Sequence, residues 1–177
     1  MLNLVQKFFK KDRTDKIKIR ADFSTFFFSL DEHQWISDQD LKPHFEKLFK
    51  HLPTGLIEAM MIQYPVVFVL SHTLGAKKNV GAVLNNTVVI FPEFHKLLLS
   101  NKRAAVAYLA HEVAFLLYEL ETAKSDPMMA EVEADKFVCD IGLADELEDL
   151  LLMLDETIEK RLRLTYLTIG HFVKTDN

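Results

Sequence analysis

The stretch YLAHEVAFLLYELETAKSDPMMAEVEADKFV, residues 108–138, carries two helical patterns separated by the polar loop TAKSD. The first holds His111 and Glu112 among apolar neighbours, Ala110, Val113 and Ala114. The second opens at Pro127, where a missing N–H costs nothing, behind the capping candidate Asp126. Glu131 follows nineteen residues after Glu112, and Asp135 comes four residues beyond that. Residues four apart share one helical face, so these two carboxylates point the same way. One turn past His111, position 115 holds Phe115.

Spacing of this kind has a chemistry. In His-Glu-x-x-His, two imidazoles on one face reach one zinc ion, and the Glu between them takes a proton from the metal-bound water. His111 and Glu112 fill the first two places. A later carboxylate can bind the metal, and an acid one turn beyond can fix the tautomer of a ligand histidine. On these residues the segment from about 79 to 139 resembles the gluzincin metallopeptidases, above all the minigluzincins. In that family an edge strand, here TVVIF (87–91), precedes the metal helix, and a glutamate on the next helix completes the site. EVEADKF (131–137) looks like the Glu-x-x-Ala-Asp element of the membrane-associated prenyl-protein and heat-shock-type peptidases. The resemblance implies His111 as first zinc ligand, Glu112 as general base, Glu131 as third ligand and Asp135 as the acid that orients the histidine. It also implies a minimal zincin-like fold.

Phe115 departs from the pattern. Phenylalanine has no lone pair, so three protein ligands become two. Structural zinc sites bind with roughly 10–16 kcal/mol over four ligands, on the order of 3 kcal/mol each. A missing ligand therefore weakens binding by about two decades. Glu119 lies two turns from His111, Tyr118 is a weak neutral donor, and nothing in the sequence brings His95 or His171 to the site. No cofactor is expected, with zinc only if the site is functional. The expected function is that of a metallopeptidase-like domain that has lost efficient zinc binding and proteolysis and acts by binding a protein or peptide, structurally or as a regulator. The alternative is an active zinc hydrolase with a non-standard third ligand and Glu112 as its base. Blander readings make His111 a core histidine and Glu112 a surface charge, and a rotated helix would put Glu133 in place of Glu131. Without a metal, one imidazole faces up to three carboxylates, and one of these must take up a proton or find a cation. His111 is the only cation on the motif. It is therefore expected to bond Glu131 or Asp135 with a raised pKa, while Phe115 fills the vacated ligand position.

The rest of the chain bounds these readings. At 177 residues, 49% apolar and 27% charged, it has the composition of one soluble globular domain. Its single cysteine, Cys139, rules out an internal disulfide and a Cys-rich zinc site, and suits a reducing, cytoplasmic setting. Residues 1–20 hold seven Lys/Arg and two Asp, which leaves 14 Lys/Arg and 24 Asp/Glu, a balance of −10, for residues 21–177. That argues against nucleic-acid binding by the main domain. Residues 1–20 form a basic amphipathic segment. It either packs on the domain as a first helix or lies on an anionic membrane surface, which would make the protein peripheral to a membrane. No apolar run reaches the length of a membrane span.

KIKIRADF (16–23) alternates like a half-buried strand, and the phenylalanines of FSTFFFSL read as core or partner-facing surface. A helix is expected over SDQDLKPHFEKLFKHLP, capped by Ser37 or Asp38, with a short one at GLIEAMMIQ. YPVVFVL (64–70) reads as a buried strand, and VGAVL with TVVIF as a hairpin turning at Asn85-Asn86. FHKLLLS as a short helix, a longer one capped by Asn101 or Ser100 and running to about Glu121, and one or two amphipathic helices from Leu143 onward complete the order. Strands first and helices second make an α+β domain over residues 21–177: a small mixed sheet with a hairpin, then the active-site helix and C-terminal helices.

Overall fold

A computed structural model describes residues 16–38, 40–71, 86–121 and 127–175. Its elements are helix α1 (Lys16–Phe28), a 3-10 turn (Asp31–His33), α2 (Gln34–Asp38), α3 (Lys42–His51), α4 (Thr54–Ile62), strands β1 (Val67–Leu70) and β2 (Thr87–Ile90), then α5 (Pro92–Ser100), α6 (Lys102–Glu121), α7 (Pro127–Asp140), α8 (Ala144–Met153) and α9 (Ile158–Thr175). The molecule is mostly helical with one small sheet, within the expected α+β class.

One strand expectation is corrected. KIKIRADF is part of α1, not a strand. Its alternation misleads because Ile17 is 86% exposed, while Ile19, Phe23 and Phe27 recur at helical spacing against the core. Arg20 fixes the helix by donating from Nε to the Phe49 carbonyl (3.0 Å) and from Nη2 to that of Leu52 (2.8 Å). The division at residue 20 thus falls inside a helix, and residues 1–15 lie outside the described residues. The described sheet has two strands. β2 pairs with β1 in parallel, Val67 opposite Thr87 through Leu70 opposite Ile90. No mixed sheet is present among the described residues, and the VGAVL half of the expected hairpin lies outside them.

Other elements follow the sequence more closely. Asn101 caps α6, its Oδ1 accepting from the backbone N–H of Arg103 (3.1 Å) and Ala104 (3.2 Å). Ser37 and Asp38 instead belong to α2, and α3 starts at Lys42 after Asp40 in the left-handed region (φ 55°). Phe23, Phe27, Phe45, Phe49 and Phe68 form an aromatic cluster, with Phe23 meeting Phe49 edge-on at 4.8 Å.

Helix α6 is the spine. Ala104, Ala105, Ala107, Ala110 and Ala114 are all buried, and their small side chains let α3, α5, α7, α8 and β2 approach from several sides. This explains why α6 lacks a clear polar face over its middle turns. α7 lies along one side of α6, and α9 packs against both α7 and α8. Together they place three helices around His111.

Candidate site at the buried histidine of α6

His111 sits mid-α6, 5% exposed, and meets acids on both ring nitrogens. Nδ1 lies 2.9 Å from Asp135 Oδ1 and Nε2 lies 3.1 Å from Glu131 Oε2. Both acids come from α7, on the shared face that their spacing implies. Glu133 points elsewhere, toward Lys136 at 3.8 Å, so the rotated alternative does not hold. The expected histidine–carboxylate pairing is present on both sides of the ring.

The fourth member of the cluster lies outside the motif of residues 108–138. Arg163, from α9, grips Asp135 with two parallel bonds, Nε to Oδ2 and Nη2 to Oδ1, each 2.7 Å. Its Nη1 lies 2.8 Å from Glu131 Oε2. Nη2 also comes within 3.4 Å of His111 Nδ1. With Nδ1 donating to Asp135, this last contact is two donors sharing one carboxylate oxygen, not a bond between them. Glu131 Oε2, itself buried, meets both cations as ion-pair contacts that fall outside hydrogen-bond angles.

Charge is balanced in this cluster: imidazolium and guanidinium face the Glu131 and Asp135 carboxylates. Burial and Arg163 work against the His111 proton, yet its contacts with the Asp135 and Glu131 carboxylates prevail and raise its pKa to about 9. Burial favours the neutral acids Glu131 and Asp135, but His111 and Arg163 outweigh it and hold both carboxyls below their usual range. Glu112 has no such cation. Burial pushes it up to about 7, helped by the Glu131 charge and opposed by His111 and Arg163. Burial and the facing Glu112 carboxyl in turn push the Tyr108 phenol upward. The Tyr108 hydroxyl makes no directed hydrogen bond, and its ring stacks on Phe94 of α5 at 4.2 Å.

His111 and Glu112 impose the same sign on stability. Each binds its proton more tightly in the folded chain than at its reference value, about 6.5 for His and 4.3 for Glu. Their proton-linked stabilisation is complete below those values and is lost as pH rises through about 7 for Glu112 and about 9 for His111. An NMR titration of the His111 ring should therefore find a midpoint well above 6.5. A midpoint at the reference value would refute the double ion pair.

Phe115 lies one turn along α6, part-buried against the core, its ring near-parallel to that of His111 at 6.3 Å. His95 is on α5, beside Trp35 at 6.2 Å. His171 lies in the last turns of α9, and nothing is described of its side chain. These residues do not fit a zinc ion. Among the described residues no group of three His, Cys, Asp or Glu side chains is placed to hold a metal. The carboxylate oxygen that would serve as ligand is already met by two cations.

A cavity of about 610 Å³ opens beside this cluster between α5, the end of α8 and α9. Phe91, Phe94, Leu97, Leu150 and Met153 line its apolar walls, and Arg163 reaches it from the cluster side. No helix among the described residues is long and apolar enough to cross a membrane. No protein-family model, curated protein or solved structure matches the chain. The resemblance to gluzincins therefore rests on the sequence pattern of residues 79–139 alone.

Proposed function

We propose that this protein is a minimal zincin-like domain that has lost metal-dependent peptidase chemistry and works by binding a protein or peptide. The observation that carries the reading is Phe115, a part-buried ring beside His111 at the position where the motif requires a second imidazole. Helix α6 with His111-Glu112, helix α7 with Glu131 and Asp135 facing it, and a strand ahead of both agree with the motif order. Loss of the metal removes the Lewis acid and the activated water, but leaves the cleft. The cavity beside Arg163 has the volume and the apolar lining of ordinary ligand sites, and suits an apolar side chain of a bound peptide.

The test is chemical. Protein given excess zinc and then dialysed should retain far less than one equivalent, and should not cleave unfolded casein at any zinc concentration. Stoichiometric zinc together with cleavage that Glu112→Gln abolishes would overturn this reading in favour of a hydrolase with an unidentified ligand.

A further inference from the structure

We propose that Arg163 is the resident cation of this site: its guanidinium stands where a metal would sit and closes the site to divalent ions independently of Phe115. This rests on the reading of the site as a lapsed metal centre and adds how its charge is now held.

Geometry carries the inference. Zinc binds imidazole nitrogen and carboxylate oxygen at about 2.0–2.2 Å. Two ligands of one tetrahedral zinc lie about 3.3 Å apart, so the 3.1 Å spacing of His111 Nε2 and Glu131 Oε2 does not by itself exclude an ion; the guanidinium beside them does. Nη1 of Arg163 is 2.8 Å from that same oxygen. A divalent ion there would press against a guanidinium that does not give up its charge at any ordinary pH. The two cannot share Glu131.

Arg163 is also not a surface side chain that happens to reach inward. It is 11% exposed, and its planar fork matches the Asp135 carboxylate with two bonds of 2.7 Å. The helix that delivers it is anchored one turn earlier. Buried Lys160 donates to the carbonyls of Leu154 (2.9 Å) and Leu152 (3.4 Å) at the end of α8. Thr157 Oγ1 accepts from the Lys160 N–H at 3.1 Å and fixes the start of α9. Lys160, Arg163 and Leu167 form one inward face at helical spacing. Two neighbouring cations turned inward, each fully engaged, make a built arrangement. Arg163 is a charge-balancing residue that acts through Glu131 and Asp135.

The experiment is zinc titration calorimetry on four proteins: wild type, Phe115→His, Arg163→Met and the double variant, each checked for folding by circular dichroism. Phe115→His restores a ligand, but Arg163 still holds Glu131. The double variant should thus bind zinc on the order of 100-fold more tightly than Phe115→His, about one ligand's worth. Equal tight binding by Phe115→His and the double variant would overturn the role of Arg163 and leave the lapsed-metal reading standing. No binding by a folded double variant would overturn both. Should the double variant not fold, Arg163→Gly decides. Millimolar methylguanidinium should raise its melting temperature and leave the wild type unchanged; no rise overturns the inference.

Discussion

Arg163→Ala should lower the free energy of unfolding by about 3–5 kcal/mol, the range for removing one partner of a buried ion pair. The cost comes less from lost attraction than from what remains. Asp135, 8% exposed at its side chain, would lose both of its guanidinium bonds, and Glu131 would keep only its contact with His111. A buried carboxylate without its partner must either ionise in a poor medium or take up a proton. The exposed pair Lys42–Glu46 is the contrast. Its side chains are 51% and 45% accessible, and pairs of that kind are worth ~0–1 kcal/mol. Urea denaturation of Arg163→Ala and Lys42→Ala, side by side, measures the difference. A loss below about 1 kcal/mol for Arg163→Ala would put it with surface pairs. The double variant Arg163→Met/Asp135→Leu should recover part of the loss, because removing both partners leaves no orphaned charge.

How much of this site the sequence reveals depends on how local the signal is. The face shared by Glu131 and Asp135, and the requirement that His111 find them, follow from helix spacing and charge balance within about thirty residues, and the structure has both. Asn101 as a cap and the extents of α5 and α6 are equally local. Arg163 is different. It lies 52 residues from His111 and 28 from Asp135, in the run KRLR of an amphipathic helix where lysines and arginines ordinarily face water. The available hint is positional: Lys160 and Arg163 share a face with Leu167, so the inward stripe of α9 contains two cations. KIKIRADF failed for the opposite reason. Eight alternating residues suffice to suggest a strand, but the deciding contacts of Phe23 and Phe27 belong to a longer window at helical period. The pairing of β2 with β1 is not legible in this local way, because hairpin rules see only neighbouring segments and this parallel pair joins residues 67–70 to 87–90.

The second large effect should come from His33, in a 3-10 turn that sequence reasoning passed over. Its ring is fully buried and joins two parts of the core. Nδ1 donates to the Phe27 carbonyl at 2.7 Å, and Nε2 accepts from the Phe68 N–H of β1 at 2.9 Å. Those partners fix one neutral tautomer, since a protonated Nε2 would confront a donor. Burial drives its pKa below 6.5, against the smaller opposing pulls of the Phe27 carbonyl and Glu32. His33→Leu keeps apolar volume but leaves the Phe68 N–H without an acceptor. The Phe27 carbonyl retains a longer bond from Leu30 at 3.4 Å. The expected cost is on the order of 2–4 kcal/mol at neutral pH, one orphaned donor plus one lost bond. That difference should itself depend on pH. The stabilisation from neutral His33 is complete above the unfolded value of about 6.5 and fades as pH falls through the lower folded value. Glu112, pushed up to about 7, and His44, whose pKa burial lowers, are present in each protein and cancel in the comparison. Urea midpoints for wild type and His33→Leu should therefore converge on acidification from pH 7 toward 5. A gap that stays constant over that interval would mean that His33 does not hold its bonds as a neutral ring.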